Sequence, residues 1–131
     1  MGAWWMKGIE VNTLFVEDLQ ESKSFYQDVF GLSVVFEDEN CAIFDFGNIV
    51  INLLKISEAH ELIKPAVVAS HETGSRFQFT ILVDDVDAVY AELDKRGVAF
   101  LNGPINRPWG RRTACFADPG GHVWEIAQEL S

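Results

Sequence analysis

Three histidines, two cysteines and one well-placed carboxylate bound the chemistry open to this chain. His60 and His71 fall in an irregular stretch and His122 in a Gly-Gly turn; their spacings match no metal-ligand pattern, so they read as exposed or turn-stabilising groups. Cys41 and Cys115 lie in β-patterned runs with no recognisable base beside them, and read as small buried hydrophobes. Glu125, in Val123-Trp124-Glu125, is the candidate general base or receptor for a cationic group, because strand alternation turns Trp124 into the core and Glu125 the other way. Trp109, in Pro108-Trp109-Gly110-Arg111-Arg112, occupies a loop, where a tryptophan suits stacking on a planar ligand or simple loop packing. The Arg111-Arg112 pair offers a grip on an acidic ligand or surface ion pairing.

The elements that must position these residues occur twice. Thr13-Leu14-Phe15-Val16-Glu17-Asp18-Leu19 reads against Thr80-Ile81-Leu82-Val83-Asp84-Asp85-Val86, each a strand running into a helix. Asp18 and Asp85 are N-caps, with Glu21 completing a capping box on the first. Helical spacing puts Leu19, Phe25, Tyr26, Val29 and Phe30 on one face before Gly31, and Val86, Val89, Tyr90 and Leu93 on one face before Gly97. Three short β-patterned runs follow each helix, at Ser33–Glu37, Cys41–Phe46 and Asn48–Lys55, then at Val98–Leu101, Arg112–Ala117 and His122–Gln128. Gly47-Asn48 and Asp118-Pro119-Gly120-Gly121 supply the tight turns. The organisation is therefore an N-terminal flap (1–8), a first βαβββ module (9–55), a linker or lid (56–76) with a short helix near Ser57–Ile63, and a second βαβββ module (77–131), all one structural domain of the α+β class.

Composition narrows the partners. The chain has 131 residues, 20 acidic against 10 basic, for a net charge of −10. At 48% apolar it has the makings of a folded core. The acidic surplus leaves no basic footprint for nucleic acid and opposes adsorption to anionic lipid, and no run approaches a membrane span. With two cysteines, no disulfide framework and no secretory leader in the first residues, the expected location is the cytoplasm.

These residues together resemble the vicinal oxygen chelate superfamily, which includes glyoxalase I, extradiol dioxygenases, fosfomycin-resistance transferases and bleomycin-resistance proteins. The resemblance spans residues 9–129. It is carried by Phe15-Val16-Glu17-Asp18-Leu19, Phe25-Tyr26 ahead of Gly31-Leu32, Val83-Asp84-Asp85-Val86 ahead of Gly97-Val98, and Asp118-Pro119-Gly120-Gly121-His122-Val123-Trp124-Glu125. It implies two modules forming a curved, cup-like mixed sheet, with four metal-ligand positions on the concave face in metal-dependent members. Those positions fall here on Val11, Asn52, Gln78 and Glu125. Valine offers no donor and the carboxamides only weak ones, so the expectation is no metal and no other cofactor, a divalent ion remaining the alternative. Phe15 stands where glyoxalase-like enzymes resemble one another in a substrate-binding arginine, which favours an apolar or aromatic ligand.

The leading functional expectation is a homodimeric, metal-free binding protein of the bleomycin-resistance type, sequestering a planar or cationic small molecule such as a drug. Phe15, Leu54, Trp109 and Phe116 are the expected walls, and Asn52, Gln78 and Glu125 the polar edge. The alternatives are a glyoxalase-like lyase or isomerase with Glu125 as base, and a non-catalytic interaction subunit whose surface includes Trp4 and Trp5.

Overall fold

The computed structural model describes residues 4–131. Met1, Gly2 and Ala3 of the expected flap lie outside the described residues, while Trp4 and Trp5 occupy an exposed turn. The first module runs β1 (Val11–Val16), α1 (Leu19–Phe30), β2 (Val34–Glu37), β3 (Cys41–Asp45) and β4 (Val50–Lys55). A short helix α2 (Ile56–Ile63) and a single 3₁₀ turn (His71–Thr73) lead to the second module: β5 (Gln78–Leu82), α3 (Val86–Lys95), β6 (Phe100–Arg107), β7 (Arg111–Ala117) and β8 (Val123–Glu129).

The duplicated βαβββ pattern is thus present, and its strands make two four-stranded mixed sheets, ordered β1-β4-β3-β2 and β5-β8-β7-β6. In each, the first strand lies parallel to the last and the other pairings are antiparallel. The helices start and stop where local chemistry requires. Asp18 Oδ1 accepts from the Glu21 amide at 3.0 Å and Asp85 Oδ1 from the Ala88 amide at 3.1 Å. Gly31 closes α1 at φ 69°, a left-handed conformation that glycine adopts without Cβ strain.

β6 departs from the sequence reading. It extends to Arg107 instead of ending near Leu101, although Gly103-Pro104 looks like a turn. The strand is at a sheet edge, and register shifts between Phe100 and Asn102 and between Asn102 and Ile105 absorb the proline. A bulged edge strand is where a missing backbone donor is tolerated. One consequence is that Pro108-Trp109-Gly110 is the tip of a hairpin between β6 and β7.

The core is continuous across both modules. Leu14, Val16, Phe44, Ile51 and Leu53 from the first sheet and Phe116, Trp124 and Ile126 from the second are all buried against the helices. Among the described residues no strand of one sheet pairs with a strand of the other. Aromatic rings join them instead: Phe30 and Trp124 lie 4.8 Å apart between centroids, and Phe46 stacks on Trp124 at 5.4 Å and 15°. Among the described residues no helix is long and apolar enough to cross a membrane.

Candidate functional site

Strand alternation turns one face of each sheet away from α1 and α3, and on each such face a threonine meets the centre of the last strand. In the first module Thr13 pairs in register with Asn52, and Asn52 with Ile43. Asn52 Nδ2 donates to Thr13 Oγ1 at 3.4 Å, while its carbonyl oxygen is buried without a donor among the described residues. In the second module Thr80 pairs with Glu125, and Glu125 with Cys115. Thr80 Oγ1 donates to Glu125 Oε1 at 2.9 Å. Thr13 and Thr80 therefore hold equivalent places in the repeat. That equivalence is legible in the aligned segments, where the two threonines occupy the same position, although neither is among the residues that the sequence points to as the site.

The second face is the more polar of the two. The Cys115 thiol lies 3.9 Å from Gln78 Oε1. Arg107, half-buried, lies across β7 with Nε donating to Thr113 Oγ1 at 2.9 Å and Nη2 to Asn102 Oδ1 at 3.2 Å. Burial pushes the Cys115 thiol above its ordinary value, reinforced by the Glu125 charge and partly offset by Arg107. Cys41 is raised too, by burial and then by its contact with Asp38. Neither thiol is poised as a nucleophile, since both are held in the protonated form. The cysteines occupy corresponding strands but not corresponding positions: Cys115 pairs with Glu125, whereas Cys41 pairs with Leu54, two residues beyond Asn52.

The expected wall residues separate. Phe15 is half-buried on the face shared with Thr13. Leu54, its register partner, is only 8% exposed, in a strand against which α2 packs, and so offers little surface. Phe116 does not line the open face as expected. It is fully buried on the helix side, near Phe25 at 6.3 Å and Phe100 at 5.5 Å, because alternation along β7 turns it opposite to Cys115. Trp109 is 68% exposed at the hairpin tip, beside the Arg111–Glu129 end of the sheet. Four residues of strand, about 13 Å, separate Glu129 from Glu125. No hydrogen bond or ion pair connects the Thr13–Asn52 pair with the Thr80–Glu125 group among the described residues.

The donor set at the four family positions does not suit a divalent cation. Val11 has no donor atom, the Asn52 amide is turned to Thr13, the Gln78 carbonyl to Cys115, and Glu125 supplies the single carboxylate. No group of three or more His, Cys, Asp or Glu side chains is arranged to hold a metal among the described residues.

The remaining candidates resolve by geometry. Arg112 grips Asp87 through two bonds of 3.0 and 3.1 Å, and Arg111 reaches Glu129 at 3.3 Å, so of their two open readings ion pairing is the one formed. His122 Nδ1 lies 2.9 Å from Asp118 Oδ1, and the Asp118 carboxylate also accepts from the Gly120 and His122 amides and, at 2.7 Å, from the Tyr26 hydroxyl. This histidine stabilises a turn, as its position suggested. Tyr26, 92 residues away in sequence, gave no signal of its role. His71 pairs with Glu17, which raises the imidazole pKa and lowers that of the carboxylate, in both cases chiefly through their mutual hydrogen bond. His60 lies exposed on α2.

Comparison with known proteins agrees with the repeated fold. Residues 8–126 match the model of the Glyoxalase/Bleomycin resistance protein/Dioxygenase superfamily. The uncharacterized protein YraH of Bacillus subtilis (strain 168) is 33% identical over 129 residues, covering 95% of this chain and 100% of YraH. The metallothiol transferase FosB of Lysinibacillus sphaericus (strain C3-41) is 27% identical over 111 residues, covering 85% of this chain and 74% of FosB. A glyoxalase/bleomycin resistance protein/dioxygenase from Nocardioides superposes with a TM-score of 0.87 at 23% identity, over 96% of this chain and 85% of that one. A glyoxalase-related enzyme from Fulvimarina pelagi gives 0.81 at 25% identity, over 95% and 89%. Two tandem βαβββ modules, a family match across nearly the whole length and a relative one third identical from end to end make this chain a member of the Glyoxalase/Bleomycin resistance protein/Dioxygenase superfamily.

Proposed function

We propose that this protein binds a small cationic, partly planar molecule without breaking a bond in it, and that a second copy of the chain completes the cup. The observation that carries the reading is Glu125. It is a half-buried carboxylate on the open face of the second sheet, and its hydrogen-bond partner is the neutral Thr80 hydroxyl. A carboxylate in such a place attracts a positive group more strongly than one in bulk water does. Phe15 on the other module's open face supplies an aromatic surface, and the valine and carboxamides around these centres supply shape and hydrogen bonds in place of a Lewis acid.

The dimer is supported by what one chain leaves open. β1 and β5 are edge strands, with Val11, Phe77 and Leu82 exposed at or beside them, and the two open faces share no polar contact within the chain. Pairing such edges between copies removes their unmet backbone groups from water.

The test is a tryptophan-fluorescence titration with a planar aromatic cation such as proflavine, on wild type and Glu125→Gln. The expected result is saturable binding, weakened about tenfold or more by the substitution. Equal affinity in the two proteins refutes the role given to Glu125. The likeness to FosB and to a glyoxalase-related enzyme sustains the rival reading of a metal-dependent transferase or lyase. Stoichiometric metal that is lost on Glu125→Ala, with turnover of the hemithioacetal of methylglyoxal and glutathione, decides for that rival.

A further inference from the structure

A cleft lies at the seam between the modules; it takes in Thr13 and Phe15 from the open face of the first sheet and is not lined by Glu125. Its volume is about 290 Å³, and it is bounded by the end of β1, the segment Val68–Phe77 and the Gly120–His122 turn. Phe15, Ile56, Val68 and Phe77 give it apolar walls, and Glu17, His71, Arg76 and His122 bring charge or protons to it.

The Gly120-Gly121 turn closes one side of the cleft. A Cβ on Gly121 would come within 2.9 Å of the His71 Cβ, and one on Gly120 within 2.7 Å of the His122 ring. Gly121, at φ 87°, therefore leaves the room that His71 occupies, whereas the contact at Gly120 is with the movable end of the His122 ring. Each ring also has Nδ1 committed to a carboxylate, His71 to Glu17 and His122 to Asp118. Nε2 is then the ring atom each has left for a ligand.

Among the side chains that line the cleft the unmatched charge is positive, while Glu72, outside the lining, places a negative charge beside His71. Glu17 is matched by His71. Asp118, 5% exposed, is surrounded by four donor groups. Arg76 lines the same cleft with no carboxylate partner among the described residues. Five of the ten basic side chains are ion-paired to carboxylates, and of the five that are not, Arg76, an exposed residue, is the one that lines this cleft among the described residues. From this geometry we infer that the seam cleft is a binding site for a small organic anion with an apolar body, its anionic group held by Arg76 beside His71 and its body lying between Phe15 and Phe77.

Benzoate, benzamide and benzamidine have nearly the same shape and carry negative, zero and positive charge, which makes them suitable probes. Their affinities are measured by following the imidazole resonances of His71 and His122 by NMR in wild type, Arg76→Gln, Arg76→Lys and Glu125→Gln. Benzoate is expected to shift both histidines and to bind at least about tenfold more tightly than benzamide. Arg76→Gln should abolish that preference, Arg76→Lys should keep most of it, and Glu125→Gln should leave it unchanged. Failure of benzoate to shift either histidine overturns the inference, as does benzamidine binding as well as benzoate or an unchanged preference in Arg76→Gln. Because Glu125→Gln is silent here and decisive for the cup, failure of one site is distinguishable from failure of the other.

Discussion

Replacing Tyr26 by phenylalanine isolates the hydrogen bond that ties α1 of the first module to the Asp118 turn of the second. The hydroxyl lies 2.7 Å from Asp118 Oδ2, with the tyrosine 0% and the aspartate 5% exposed. Phenylalanine keeps the ring contacts with Phe30 and Phe44, at 5.2 and 5.5 Å, so little packing is lost. A hydrogen bond to a charged group contributes about 1.5–3 kcal/mol. Asp118 retains the Gly120 amide, the His122 amide and the His122 ring, which keeps it from being left unpaired and holds the expected cost near 2 kcal/mol. For a chain of this size that corresponds to a fall in melting temperature of about 6–10 °C by calorimetry or circular dichroism. Burial, followed by the Asp118 charge and hydrogen bond, holds the Tyr26 phenol well above its ordinary value, so it remains a donor and the difference should persist between about pH 6 and 9. Asp118→Asn should cost more, since a carboxamide oxygen cannot serve all four donor groups. A Tyr26→Phe melting point within about 1 °C of wild type would refute the reasoning, because it would mean that the aromatic cluster and the other seam contacts, among them Arg96 Nη1 donating to the Val29 carbonyl at 2.7 Å, hold the modules together without this bond.

Three further outcomes follow from the same geometry. The Glu17–His71 pair has a raised imidazole and a lowered carboxylate pKa, so its contribution is fully present between the ordinary values of 4.5 and 6.5 and is lost on either side, as pH falls through the lowered value or rises through the raised one. The stability difference between wild type and His71→Gln, read by urea denaturation across pH, should therefore peak in that mildly acidic window; a flat profile counts against the pair. Gly103→Ala should destabilise the fold severely, by about 3 kcal/mol or more, because its Cβ would lie 2.4 Å from the Thr113 carbonyl oxygen and 2.6 Å from Ala114 Cα across the β6–β7 bulge. Trp124→Ala, which removes a ring 1% exposed and shared by both modules, should cost about 3–5 kcal/mol on urea denaturation; a loss under about 1 kcal/mol would mean that the modules do not depend on it.

The sequence by itself determined what depends on neighbours along the chain. Helix N-caps at Asp18 and Asp85, the left-handed end at Gly31, the alternation that buries Trp124 and frees Glu125, and the repeat of strand, helix and three strands are all local patterns, and each is present in the fold. Tertiary structure decided what depends on pairing at a distance. The sequence points Phe116 toward the ligand wall, whereas the register sets Cys115 opposite Glu125 and Phe116 opposite Trp124, which turns Phe116 into the core. β6 ran past Gly103-Pro104 because a free edge and two register shifts accommodate a residue that would end a central strand. Tyr26 meets Asp118 and His71 meets Gly121 only because the modules dock through aromatic rings, an arrangement that leaves no trace in the spacing of the residues it brings together. The open faces and the seam cleft belong to that second level, since each joins side chains from segments that fold separately and become neighbours only when the two cores merge.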